Sequence, residues 1–234
     1  MSASLSIILP TYNEKENICE MIDCLRKEFN LAQIIVVDDN SPDRTWQLVR
    51  DKAASDLRIK LIRRFGNRSL VSSLREGICA ADGEVITWLD CDFSMSPGTI
   101  SKLIAGISSD YDIAVGSRYI KDGNDARNSR ARVMASRLIN KLAQWLLRSF
   151  VCDLTSGFIA SGKHVFRSIT LDGYYGEYCI DFILRAQRAG FKIKEIPYTC
   201  VSRSKGKTKT APNPAVFIAR SLNYFKKIFS LINT

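Results

Sequence analysis

The chain has a single histidine in 234 residues, His164, with no cysteine or acidic residue close by in sequence. A histidine-based zinc site or a Ser/His/Asp triad therefore has almost no material. Its seven cysteines are odd in number and show no C-x-x-C spacing, so they read as reduced thiols of a cytosolic protein. No window of about 20 apolar residues exists, which excludes a membrane-spanning helix on length. The opening run Leu5-Ser6-Ile7-Ile8-Leu9 is too short for a signal peptide and has no basic segment before it. No linker-like tract, low-complexity segment or solenoid-period repeat divides the sequence, so residues 1–234 read as one domain. Residues 5–18 lack glycine, which argues against a nucleotidyltransferase with a Gly-rich loop at its start.

What is present is a folded-protein composition, 46% apolar and 25% charged, with 34 basic residues against 24 acidic ones and a formal charge of +10. That excess calls for an anionic partner, either phosphorylated substrates or an acidic membrane surface. Nucleic acid is disfavoured, because no recognised binding motif appears and the basic residues cluster late in the chain.

Short apolar runs alternate with amphipathic stretches through the first half, the pattern of a parallel sheet covered by helices. Strands are predicted at 5–9, 33–38, 58–63, 84–90 and 111–117, and helices at 14–29, 43–54, 69–82 and 97–107, with Pro97 in the first turn of the last. Beyond them come an amphipathic segment 132–150, strands at 156–160 and 191–201, and helices at 178–189 and 214–232. Segments 121–128 and 202–213 read as candidates for disorder. The fold class is α/β, a doubly wound, mostly parallel sheet with amphipathic helices at its C-terminal end.

In such sheets ligands bind beyond the carboxyl ends of the strands. Pro10-Thr11-Tyr12-Asn13-Glu14, Asp38-Asp39-Asn40-Ser41-Pro42 and Asp90-Cys91-Asp92 all fall at predicted strand ends. A D-x-D alone is weak evidence, and the chain holds a control in Asp110-Tyr111-Asp112, which precedes a strand instead of following one. Asp90 and Asp92 are placed to grip a divalent metal that bridges a diphosphate, which points to nucleotide-sugar chemistry. Asp38 reads as a turn former.

These segments resemble the family 2 glycosyltransferases, and among them the dolichol-phosphate (polyprenyl-phosphate) mannosyltransferases. The matching stretches are Ile7 to Ile18, Val36 to Asp43, Asp90 to Ser94, Val115 to Tyr119, Asp153 to Phe158 and Arg203 to Lys209, in family order. The resemblance implies a GT-A fold, a nucleoside-diphosphate sugar donor, Mg2+ or Mn2+, and an inverting transfer to a lipid phosphate. It assigns Pro10, Tyr12, Glu14, Val37 and Asp39 to the nucleoside pocket, and Asp90, Cys91 (through its backbone) and Asp92 to ribose, diphosphate and metal. Ser94, where many relatives carry Gln or His, would reach the metal directly or through water. Arg118, Arg132, Arg203 and Lys209 match the family's basic positions and would join two anionic substrates, and residues 202–210 would form a basic lid.

The expected donor is GDP-mannose and the expected acceptor a polyprenyl or dolichyl phosphate, on the cytoplasmic face of a membrane. An anionic lipid surface or a membrane-anchoring subunit would hold the protein there. Two departures leave the donor open: residues 65–74 lack the second glycine-rich step of mannosyltransferases, and Cys179-Ile180-Asp181 replaces a common Gln and Glu. A UDP-sugar donor, a saccharide acceptor with Asp181 as base, and a non-catalytic nucleotide-sugar or lipid-binding subunit are the alternatives.

The final helix carries Ile218, Leu222, Phe225, Phe229 and Ile232 at spacings of four, three, four and three. This apolar stripe is expected either to pack on the protein's own core or, with a second stripe at Met134, Leu138, Leu142, Trp145 and Leu146, to lie on a bilayer.

Overall fold

In the computed structural model the described residues are 4–107, 110–206 and 214–232, the last stretch with side chains from Ser221 onward. Seven strands form one sheet in the order β3-β2-β1-β4-β7-β5-β8. They are β1 (Leu5–Thr11), β2 (Gln33–Asp38), β3 (Ile59–Arg63), β4 (Val85–Trp88), β5 (Ile113–Ser117), β7 (Ile159–Gly162) and β8 (Ile193–Pro197). All neighbours pair in parallel except β7, which runs antiparallel between β4 and β5.

The strands are almost wholly apolar because both faces of the sheet are covered. Side chains alternate along each strand, so Ile8, Ile35, Val37, Ile86 and Trp88 enter one core and Ile7, Leu9, Ile34, Val36 and Val85 the other. The first core is closed by α3 (Leu70–Cys79), α5 (Arg130–Leu147), α6 (Tyr178–Arg188) and α7 (Pro214–Ile232). The second is closed by α1 (Ile18–Glu28), α2 (Thr45–Ser55) and α4 (Thr99–Gly106). The chain steps outward from β1 to β2 and β3, then returns to the other side of β1 as β4. The direction of winding thus reverses between β1 and β4, the place where doubly wound sheets open a crevice.

Four expectations need correction. Residues 121–128 are ordered: β6 (Asn124–Ala126) pairs in parallel with β9 (Thr199–Val201) in a small second sheet, with Asp125 buried. The strand expected over 191–201 is accordingly two, broken at Tyr198, whose ring packs edge-on against Phe158 at 5.5 Å. Pro97 lies ahead of α4 instead of in its first turn. His164 stands in a short 3-10 turn, Lys163–Arg167, and does have an acidic partner, Asp112, at 2.9 Å. Sequence separation concealed that pair.

Candidate active site

The loops after β1, β2 and β4 converge at the carboxyl edge of the sheet. Asp38 and Asp39 end β2, and the fold gives them different tasks. Asp38 is fully buried and accepts from Ser41 N at 2.8 Å, Ser41 Oγ at 2.6 Å and Thr11 Oγ1 at 3.0 Å. Burial raises its pKa against the opposing pull of these hydrogen bonds. It fastens the β2 turn to β1, as the turn-forming reading expects.

Asp39 leans the other way, onto the start of α3. It pairs with Arg64, accepts from Ser73 Oγ at 3.0 Å on the same oxygen, and accepts from Ser69 N at 3.1 Å on the other. Ser69 also caps α3, its side chain accepting from Ser72 N. Beside this knot lies a pocket of about 550 Å³, lined by Tyr12, Asp39, Asn40, residues 65–70, Tyr174 and Tyr175. Its position beyond β1 and β2 suits a nucleoside. The Arg68 guanidinium lies over the Tyr12 ring, 4.2 Å from its centre. The Val37 side chain is fully buried in the core, so only its backbone is open to a ligand.

Asp90 and Asp92 leave the end of β4 with Cys91 between them. Cys91 is buried and Asp90 exposed, which fits a backbone role for the cysteine and an outward carboxylate for Asp90. The turn is tight: Phe93 takes a positive φ of 60°, and Asp92 Oδ1 accepts from Ser94 N at 3.0 Å.

The segment leaving β9 is tied to the same turn, with Val201 N donating to Ser94 O at 3.1 Å and Ser204 N to Asp92 O at 2.9 Å. Arg203 then reaches across the cleft. Its Nη2 donates to both Glu14 oxygens at 3.0 and 2.9 Å, and its Nη1 stands 3.8 Å from Asp92 Oδ2. Lys205 continues the contact, pairing with Glu20 at 2.8 Å. Lys209 lies outside the described residues.

Among the described residues no cluster of three or more His, Cys, Asp and Glu side chains assembles. The carboxylates at this turn are those of Asp90 and Asp92, with Ser94 adjoining. A hard cation such as Mg2+ or Mn2+ suits that donor set when diphosphate oxygens and waters complete it.

Arg118, at the end of β5, is buried in a network. It grips Asp153 through Nε and Nη2, both at 2.7 Å, and Thr155 Oγ1 at 2.9 Å, with Asp125 at 3.7 Å from Nη1. Burial alone would lower its pKa, but Asp153 holds it well above the usual arginine value. Arg118 therefore anchors the β5 exit to the loop before β7. Arg132 stands half-buried in the first turn of α5. Asp181, the candidate base, is only 4% exposed and is held by Arg185 at 3.2 Å and Lys227 at 3.6 Å.

Sequence reading missed Arg64, Arg68, Ser69, Ser73, Tyr174 and Tyr175. Only the lost glycines of residues 65–74 flagged that stretch, and Tyr174 and Tyr175 come to the pocket from more than 100 residues away in the chain.

A mostly parallel, doubly wound sheet carrying a D-x-D turn at its switch point is the GT-A arrangement of nucleotide-sugar glycosyltransferases. The chain belongs to glycosyl transferase family 2, whose family model matches residues 6–170. It is 34% identical over 211 residues to the dolichol-phosphate mannosyltransferase of Pyrococcus furiosus, an alignment covering 88% of this chain and 58% of that protein. It is 30% identical over 210 residues to the polyprenol monophosphomannose synthase of Mycolicibacterium smegmatis, covering 87% of this chain and 79% of that one. Among solved structures it resembles glucosyl-3-phosphoglycerate synthase of Mycobacterium tuberculosis in complex with Mn2+, UDP and phosphoglyceric acid. The TM-score is 0.75 at 16% identity, over 98% of this chain and 78% of that one. The same enzyme with Mg2+ and UDP gives 0.73 at 16%, over 99% and 80%. At such identity these structures speak for the fold alone.

Proposed function

We propose that the chain transfers a hexose, mannose from GDP-mannose, to the phosphate of a polyprenyl or dolichyl phosphate with inversion at the anomeric carbon. The observation that carries the reading is the reach of Arg203 to Glu14 and Asp92, at the D-x-D turn, on the same sheet edge as a nucleoside-sized pocket. The named activities of the two curated relatives support it.

In this mechanism the sugar's bond to the diphosphate breaks as an acceptor phosphate oxygen bonds the anomeric carbon from the opposite face. Asp90 and Asp92 would hold Mg2+ or Mn2+, which stabilises charge on the departing diphosphate. The acceptor is already an anion, so the chain needs no base to make a nucleophile. It needs cations, because two phosphate groups repel in a poorly solvated cleft. Arg203 would supply one by turning from Glu14 toward the substrates, and Lys209, in the basic segment 202–210 expected to form a lid, is the second candidate. Arg118 keeps the β5 exit rigid, and Arg132 adds charge at the α5 N-terminus. Asp181 is committed to Arg185 and Lys227, which counts against a saccharide acceptor needing a base, and the intact D-x-D turn counts against a non-catalytic subunit. The reaction takes place on the cytoplasmic face of a membrane, with residues 1–234 acting as one domain.

One observation favours a second donor. Asp39 already accepts three hydrogen bonds, which leaves room for the single imide N–H of uracil more readily than for the paired N–H groups of guanine. The experiment is incubation with radiolabelled GDP-mannose, UDP-glucose or UDP-N-acetylglucosamine, each with polyprenyl phosphate and Mn2+, followed by organic extraction. Label from GDP-mannose in the lipid phase is the expected result, label from a UDP-sugar moves the assignment to the second reading, and none from any donor overturns both.

A further inference from the structure

The nucleoside-sized pocket beyond β1 and β2 takes part of its lining from a distant stretch of the chain. The turn Asp172-Gly173-Tyr174-Tyr175-Gly176-Glu177 precedes α6, and both of its tyrosines line the pocket together with Asp39. It lies beyond residues 6–170, which match the family model, and outside every stretch that carries the family resemblance. The other two aromatic rings of the pocket, Tyr12 and Phe65, each already carry a guanidinium over one face, Arg68 at 4.2 Å and Arg63 at 4.8 Å from the ring centre. Tyr174, by contrast, is 64% exposed.

The turn is fixed from several sides. Glu177 is buried, and its Oε1 accepts from Tyr174 N at 2.8 Å and from Tyr175 N at 3.1 Å. Gly173 takes a φ of 138°, which side chains rarely adopt, and lies close against Tyr178 at the start of α6. Ser69 Oγ donates to Tyr174 O at 3.5 Å, and the backbone N–H of the same serine donates to Asp39. The tyrosine turn and the pocket carboxylate therefore share one residue. From the other side α7 closes on the turn: Lys227 reaches Asp172 at 3.0 Å and Asp181 at 3.6 Å, and the Tyr224 hydroxyl presses so near Gly176 that no side chain fits there. Holding a solvent-exposed ring in place does little for the core. It does preorganise that ring for a planar ligand with a π face.

We infer that Tyr174 and Tyr175 form a base-contacting wall of the nucleotide pocket, with Glu177 as its positioning residue and α7 as the latch that holds it. The inference deepens the proposed function and rests on its reading of this pocket as the nucleoside site. Stacking on an aromatic ring tolerates any base, so the wall serves guanine and uracil alike and leaves the choice between them to Asp39. It also makes nucleotide affinity depend on Glu177 and Lys227, two side chains that do not line the pocket.

The test is titration calorimetry on the full chain with Mg2+ and GDP, UDP or pyrophosphate, the last being a ligand without a base. Tyr174→Ala/Tyr175→Ala should weaken both nucleotides by about tenfold or more and leave pyrophosphate unchanged. Tyr174→Phe/Tyr175→Phe, which keeps the rings, should restore most of the affinity. Glu177→Ala and Lys227→Met should each weaken the nucleotides severalfold, whereas Glu177→Gln, whose amide oxygen still accepts both N–H groups, should not. Circular dichroism checks that each variant folds. Unchanged nucleotide affinity in the folded tyrosine variants, with hexose transfer intact, would overturn the inference alone, as would an equal loss of nucleotide and pyrophosphate. Unchanged affinity in both Glu177→Ala and Lys227→Met would overturn the positioning and the latch. Wall-dependent nucleotide binding by a chain that transfers no hexose to polyprenyl phosphate would count for the wall and against the proposed reaction. A wild-type chain that binds neither nucleotide would overturn both.

Discussion

Asp38 and Asp39 are chemically identical neighbours, and only the fold separates them. Asp38→Ala would leave Ser41 N, Ser41 Oγ and Thr11 Oγ1 without their buried acceptor, and we expect it to cost about 3 kcal/mol in urea unfolding. Asp92→Ala, which loses only the hydrogen bond to Ser94 N and the distant Arg203 pair, should cost less stability and, on the proposed function, lower turnover by about 100-fold, because it would remove a charge partner of the leaving diphosphate. Full activity in the presence of a chelator would remove the metal from this assignment. The residues at strand ends were legible because polar groups following a buried apolar run have few uses other than turns and ligands. Arg64 and Arg68 were not legible, since an arginine in a loop looks alike in sequence whether it pairs with Asp39, covers Tyr12 or points into water.

Elements with strong periodicity were read correctly to within a few residues, as β1, β2, α3 and α6 show. The three-residue strand β6 escaped, and β9 was merged into the strand expected over 191–201, because the pair is held by pairing across 75 residues and by the buried Asp125, not by any local apolar pattern. The direction of β7 was equally hidden, as strand orientation is a property of neighbours. On the other side of the sheet, α7 grips the turn ahead of α6: Lys227 pairs with Asp172 at 3.0 Å, and Tyr224 leaves no space for a side chain at Gly176. The hydrogen bond from Lys227 is the main cause that holds the Asp172 pKa below its ordinary value, burial opposing it. A depressed carboxylate contributes stability above its unfolded pKa and loses it as the pH falls through the folded one. We therefore expect Asp172→Asn to loosen residues 221–232 at neutral pH, and to remove the part of their loosening that wild type shows below the ordinary carboxylate range. Amide hydrogen exchange measures both.

At the scale of the whole molecule, the excess of positive charge was legible from composition, but its placement was not. Sequence could not tell which line of each amphipathic helix meets the core, and the structure shows that a second apolar line remains outside on both α5 and α7. Nor could it show that the segment after β9 folds back on the start of the chain, joining Arg203 to Glu14 across 189 positions. In this arrangement the cleft supplies its own counter-ion. On the proposed function, an incoming divalent ion would compete with an internal guanidinium for the carboxylate field of Glu14 and Asp92, while a donor diphosphate would offer Arg203 a replacement anion. Ion and nucleotide should then bind with positive linkage, each weakly alone. Arg203→Ala should tighten Mn2+ binding to the nucleotide-free protein severalfold while turnover falls, and titration calorimetry with and without GDP or UDP reads the difference. Unaltered Mn2+ affinity would leave the Arg203–Glu14 pair a bystander; a gain confined to the nucleotide-free form would make Arg203 the residue that couples the ion to the nucleotide.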